Sequence, residues 1–143
     1  MKKFIPIACV GCLVVFGYFL LNLNAKGNPS IDIGKSTKFS QEEIQAAVDC
    51  VIVNFKEDFK GCNLKKIWYD EGESDSEIGT YMIFGRGSVN GVKEENVIVL
   101  FSNFDVGTGA DASLNPNSTY KDWNWILIRE DKTGNWKIDD WGY

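Results

Sequence analysis

The feature that most limits this chain is a run of 18 residues without a charge, Phe4 to Leu21 (FIPIACVGCLVVFGYFLL), behind the basic start Met1-Lys2-Lys3. At about 1.5 Å per residue, a helix of that length is only a little shorter than a bilayer core of roughly 30 Å. Placed at the N-terminus after two lysines, the run reads as an export or anchoring segment rather than a core helix. The basic side stays in the cytoplasm, so the remainder of the chain is expected outside. Residues 1–3 are then a cytoplasmic start, 4–21 a transmembrane anchor or signal segment, 22–38 a polar spacer, and 39–143 an extracytoplasmic domain. Three fates of the run stay open. A retained single-pass anchor is the first. Cleavage after Ala25, giving a secreted domain, is the second, although Leu23-Asn24-Ala25 is a poor small-x-small site. Lipid attachment at Cys12, after Val10-Gly11, is the third, but the strongest apolar stretch follows that cysteine instead of preceding it.

What remains is enough for one domain and not for two. With 44% hydrophobic and 24% charged residues, the chain is not a disordered one. Its net charge is −5, and without Lys2 and Lys3 the balance is 13 bases against 20 acids, a net of −7. That surface favours neither nucleic acid nor an anionic membrane. The chain has no histidine, which excludes histidine triads, histidine zinc sites and imidazole pH switches.

Residues 22–38 (NLNAKGNPSIDIGKSTK) are punctuated by Gly27, Pro29 and Gly34 and read as a flexible tether. A helix start follows. Ser40 is placed to cap, Glu43 completes a capping box, and Phe39 can staple against Ile44. Ile44, Ala47, Val48, Val51, Ile52 and Phe55 recur three and four apart, and Phe59 continues the stripe. The pattern predicts a helix to about Phe59, ended by Gly61. Asn63 to Tyr69 reads as a strand, and Asp70 to Asp75 as an acidic break. Ser76 to Ser88 fits a helix capped at Asp75 or Ser76 about as well as a strand. Asn96 to Val106 carries the strongest strand signal. Tyr120 to Glu130 is another strand, with Trp123, Trp125, Leu127 and Arg129 on one side. A turn at Asp131 to Asn135 returns the chain through Trp136 to Trp141.

Cys50 and Cys62 are expected as free thiols. Nine helical steps put Cys50 roughly 13 Å back from Phe59, whereas three further residues reach about 10 Å.

The segment WNWILIREDKTGNWKIDDWGY resembles the closing hairpin of nuclear-transport-factor-two-like and cystatin-like domains, with Gly134 followed by Asn135-Trp136-Lys137-Ile138. The span from Phe39 to Tyr143 is also similar to small uncharacterised domains exported by Gram-positive gut bacteria. That likeness rests on Gly61-Cys62-Asn63-Leu64, on Asn115 to Thr119 (NPNST) and on Trp141-Gly142-Tyr143. The resemblance implies an α+β fold, with a long N-terminal helix packed on a curved antiparallel sheet. It also implies a helix over Ser76 to Ser88. It transfers no catalytic residue.

Folds of this type often enclose a pocket between sheet and helix. Without histidine, catalysis there would fall to an Asp with a Tyr, Tyr69 or Tyr81. Asp49, Asp105, Asp139 and Asp140 are the acids near the expected core. Asp139 and Asp140 are adjacent in a strand, so only one of them is expected to face a pocket. Asp105, Asp111, Asn115 and Asn117 match no calcium-loop spacing, and Gly107-Thr108-Gly109 opens no convincing helix, so neither a metal nor a dinucleotide cofactor is expected. The function this favours is binding of a small ligand or a cell-surface protein, without catalysis. Its site is expected at the open end of the sheet, among Trp68, Asp105, Tyr120, Trp123 and Trp141. The alternative is a small-pocket isomerase or hydrolase.

Overall fold

The computed structural model describes residues 27–110 and 113–143. The basic start, the uncharged run with Cys9 and Cys12, and the tether as far as Lys26 lie outside the described residues, as does Asp111. Among the described residues no helix is long and apolar enough to cross a membrane.

Helix α1, Gln41–Asp58, forms as its capping box requires. Ser40 Oγ accepts the Glu43 N–H at 3.1 Å, and Glu43 Oε2 accepts the Ser40 N–H at 2.7 Å. The stripe from Ile44 to Phe55 is buried along its length, and Phe39 and Phe59 close its two ends. Gly61 takes a positive φ of 80°, and a Cβ there would lie 2.9 Å from the Ala110 Cα. The Gly107 N–H donates to the Gly61 carbonyl at 2.9 Å. These two glycines let the loop after the strongest strand close against the end of α1.

Strands β2 (Cys62–Tyr69), β3 (Val97–Val106), β4 (Thr119–Ile128) and β5 (Lys137–Gly142) pair antiparallel in that order. The sheet has a fifth strand that corrects the sequence reading. Residues Ser30–Ile33, taken as tether, form β1 and pair parallel with β2, Ser30 opposite Lys66 and Ile33 opposite Tyr69. The sheet is therefore mixed, and the ordered domain begins before Phe39. The cause is local. Ile31 and Ile33 alternate inward onto the core, and α1 supplies the long crossover that a parallel pair needs. Beyond β1 the Glu71 carboxylate gathers the Ser36 hydroxyl and the N–H groups of Thr37 and Lys38 at 2.8, 2.9 and 3.1 Å.

Helix α2 spans Glu71–Phe84, so the acidic stretch read as a break is its first turn. Asp70 is the cap, accepting the Glu73 N–H at 2.9 Å, and the acids suit the positive end of the helix. Its buried positions are Ser74, Ile78 and Tyr81. One of the three is polar, which is why the apolar period was weak. Ser74 Oγ accepts the Val99 N–H at 3.1 Å, serving that donor just beyond the last pairing of β2 with β3.

The sheet lies between the two helices. Ile98, Leu100 and Phe104 of β3 join the α1 core with Trp125 and Leu127. Val97, Val99 and Phe101 join Ile78 and Tyr81 of α2 on the other face. Arg129, with 5% of its side chain exposed, ties α1 to the last hairpin. Its Nη1 donates to Glu43 Oε1 at 2.8 Å, and its guanidinium sits 4.4 Å from the Trp136 ring centre and 5.5 Å from that of Phe39. No disulfide joins Cys50 to Cys62, and the Cys50 thiol points at the Trp136 carbonyl.

Candidate functional site

The aromatic residues of β4 and β5 gather at one end of the α1 face. A bulge makes this possible. Tyr120 pairs with Phe104 and Trp123 with Ser102, so β4 carries an extra residue between them. Asp122 takes it up with a φ of 56°, and its N–H donates to Asn103 Oδ1 at 3.0 Å. Tyr120 and Trp123 therefore share a face although they are three apart. Tyr120 stacks on Phe104 at 5.2 Å, and Trp123 meets Tyr120 edge-on at 5.4 Å. Tyr143 lies against both, at 6.2 Å from Tyr120 and 5.2 Å from Trp123. Trp141 rests over Trp125 at 6.5 Å and against Phe59 at 6.2 Å. Trp141 is 52% and Tyr143 79% exposed, whereas Trp123 and Trp125 beneath them are buried. The Trp123 indole N–H has no hydrogen-bond partner among the described residues. Burial pushes the Tyr143 hydroxyl pKa up, helped by the neighbouring Tyr120.

Of the five residues expected to form a site, the structure brings together Tyr120, Trp123 and Trp141. Asp105 sits nearby on β3, paired between Asn63 and Thr119, with Oδ1 accepting the Thr119 hydroxyl at 2.7 Å. Strand alternation aims it away from Phe104 and Val106, onto the other face. Trp68 is remote from the group. It stacks on Phe101 on the α2 face, with the Lys66 ammonium 5.1 Å above it. Tyr143 was missed. The signal was weak, because Tyr143 lies just past the end of β5 and follows Gly142, whose φ of 137° breaks strand alternation.

A second group is polar. Residues Ile126 and Leu127 of β4 pair with Asp140 and Ile138, which leaves Asp139 as the extra residue of a bulge in β5. Strict alternation fails there, so Asp139 and Asp140 are not simply opposed. Asp140 lies opposite Ile126 of the α2 face, and Asp139 also turns toward α2. The Tyr81 hydroxyl donates to Asp139 Oδ2 at 2.6 Å, Arg86 Nε reaches the same oxygen at 3.2 Å, and Asn90 Nδ2 donates to the Tyr81 oxygen at 2.8 Å. Burial, then the carboxylate acceptor, pushes the Tyr81 pKa up to about 12. Tyr81 is thus a fixed proton donor at neutral pH and not a base. It is 2% exposed and the Asp139 side chain 9%, and the Tyr81 ring packs so closely on Gly87 that a Cβ there would meet it at 2.6 Å. The pair fastens α2 to β5. Of the other acids and tyrosines considered, Asp49 is held by Gln45 at 2.8 Å with its carboxyl pKa raised by burial. Tyr69 is buried beside Ser36.

Neither a curated protein nor a solved structure matches this chain. A family model does match, over residues 38–142, the span from the approach to α1 through β5. By that match over most of its length, the chain belongs to the family described as Domain of unknown function (DUF4829).

Proposed function

We propose that the chain displays a non-catalytic binding domain outside the cytoplasmic membrane, held there by residues 4–21. Its ligand stacks on the shelf formed by Tyr120, Trp141 and Tyr143. The observation that carries this reading is two exposed aromatic faces, Trp141 and Tyr143, on a base of buried rings. Aromatic side chains of this kind give large contact area at small entropic cost, and each well-placed ring pair adds about 0.5–1.5 kcal/mol beyond its area. The chain is acidic, and Asp122 is exposed beside the shelf. That favours a neutral, ring-shaped ligand, with sugars as the leading class, over an anionic one.

The likeness to nuclear-transport-factor-two-like and cystatin-like domains belongs to this proposal. The leading helix and the closing hairpin support it. The parallel β1 edge and the helix on the second face are additions to that pattern. The rival is an isomerase or hydrolase run by an Asp and a Tyr. It draws on the contact of Tyr81 with Asp139, but those two groups satisfy each other under cover.

The test is a titration of soluble oligosaccharides followed by tryptophan fluorescence and product analysis. We expect a saturable change without product, lost in Trp141→Ala and Tyr143→Ala with unaltered melting. Turnover that vanishes in Asp105→Asn or Asp139→Asn, with the fold intact, overturns the reading in favour of catalysis.

A further inference from the structure

We infer that the aromatic shelf faces the membrane that holds the chain, and that it takes the neutral sugar head group of a lipid in that membrane. This rests on the anchored reading of residues 4–21 and on the shelf as the binding site. Its ground is the place where the chain enters the fold. β1 runs parallel to β2, with Ser30 opposite Lys66, so the residues before it lead back toward the start of β2. There Gly27, Asn28 and Pro29 border a cleft with Phe59, Gly61 and Cys62. Cys62 pairs with Val106, Phe104 with Tyr120, and Asn124 with Gly142. The end of the sheet at which the chain enters is therefore the end that carries Tyr120, Trp141 and Tyr143.

Length keeps that end toward the bilayer. Asn22 to Lys26 are all that separate Leu21 from Gly27. Fully extended, they reach no more than about 18 Å. The sheet is longer along its strands, since β3, Val97–Val106, extends over roughly 30 Å. A leash that short cannot pass the length of the sheet, so the domain cannot turn its shelf end to the far side. Across the sheet, β1 and β5 are the two edges, roughly 19 Å apart at about 4.8 Å per strand spacing. The charges at this end select no ionic lipid. Lys60 and Lys121 stand there with Asp58, Asp105 and Asp122, and neither sign dominates. What the end exposes is ring faces with the Asp122 carboxylate beside them. A sugar brings an apolar face to the rings and hydroxyl donors to the carboxylate. A soluble glycan has the same chemistry, but a lipid-borne one shares the shelf's narrow zone and meets it at a high effective concentration.

The experiment places the full-length chain in phosphatidylcholine vesicles with rising fractions of monoglucosyl diacylglycerol and follows tryptophan fluorescence. We expect a saturable change that is absent without the glycolipid and is lost in Trp141→Ala and in Tyr143→Ala with unaltered melting. Lengthening the leash by roughly 30 Gly/Ser residues after Lys26 should raise the half-saturating fraction at least about tenfold, because effective concentration falls as about the −3/2 power of linker length. Soluble gluco-oligosaccharides added to the same vesicles separate the two readings. If they bind but the glycolipid does not, or if the longer leash changes nothing, the membrane source is overturned and the shelf stands as a sugar site. If neither binds, the shelf fails as a sugar site and the inference falls with it. An equal change in phosphatidylcholine alone would make a choline head group the ligand and overturn the inference. Release of the protein by alkaline carbonate would overturn it as well, by removing the anchor on which it rests.

Discussion

Glu43 holds two donors that come from distant parts of the chain, and Glu43→Gln separates them. One carboxylate oxygen, Oε2, accepts the Ser40 N–H at 2.7 Å, and the other, Oε1, accepts from Arg129 Nη1 at 2.8 Å. Glutamine has one acceptor oxygen. Its amide nitrogen must face either the cap N–H or the guanidinium, a donor against a donor. Losing the cap contact costs about 0.5–1 kcal/mol, whereas losing the charged bond costs about 1.5–3. Removing one partner of a fully buried pair costs about 3–5 kcal/mol. The side-chain exposures are 5% for Arg129 and 21% for Glu43. Water reaches the acid, and Arg129 keeps Asn96 at 3.3 Å and its two aromatic neighbours. The expected loss is therefore about 2–3 kcal/mol. Urea unfolding of residues 27–143 measures it, and a cycle with Arg129→Met should give a coupling energy of at least about 1 kcal/mol. A loss below about 0.5 kcal/mol, or no coupling, would refute the idea that this pair joins helix to hairpin. The pair also sets a pH dependence. Burial raises the Glu43 pKa, but the Ser40 N–H and Arg129 outweigh it, so the folded value is lowered. Its stabilisation is complete above the unfolded carboxyl value and is lost as the pH falls through the lower, folded one. Glu43→Gln should flatten the acid limb of the stability curve.

Three further outcomes are expected. Ser40→Ala removes the other half of the capping box and should cost about 1 kcal/mol, whereas Val51→Ala, at a fully buried site, should cost about 1–3 kcal/mol through the cavity it leaves. Denaturant melts of both check it, and a neutral Val51→Ala would mean α1 is faced wrongly. Thiol titration of unfolded, unreduced residues 27–143 should find both Cys50 and Cys62 reactive, and a mass two hydrogens below the reduced form would show a disulfide instead. Protease added to intact cells or protoplasts should digest the domain, whereas protection until lysis would reject a location outside the membrane.

Local chemistry was legible wherever several signals agreed. Around α1 the cap, the capping box, the apolar period and the terminating glycine all point one way, and the helix runs as they specify. The face of β4 was equally legible, because Trp123, Trp125, Leu127 and Arg129 alternate with less buried residues. β1 was not, since two isoleucines among Gly, Pro and Ser make too short a pattern, and its pairing is decided by a crossover built on an 18-residue helix. That strand also precedes the span matched by the family model, which starts at residue 38. The start of α2 was hidden because its acids serve the helix terminus and one of its three buried positions is a serine that bonds to the sheet.

The bulges explain why the site was only half visible. Period-two reasoning assigns each strand residue a face by parity, and one extra residue reverses the assignment for everything beyond it. At Asp122 the reversal brings Tyr120 round to Trp123, so the aromatic shelf exists because of a residue that alternation cannot place. At Asp139 it swings the carboxylate under α2, where it meets Tyr81 from 58 residues away. Neither bulge has a glycine to announce it. Asp122 holds its positive φ with the help of Asn103, a contact across strands. Both candidate groups thus depend on insertions that tertiary contacts stabilise. Tyr120, Trp123 and Trp141 could be grouped from the sequence, but the separation of Trp68 from them and the meeting of Tyr81 with Asp139 could not. This arrangement makes the shelf sensitive to Asn103, whose side-chain carbonyl holds the Asp122 N–H from the neighbouring strand. Loss of its carbonyl should loosen the bulge and part Tyr120 from Trp123 while the core beneath, from Phe55 to Leu127, stays packed.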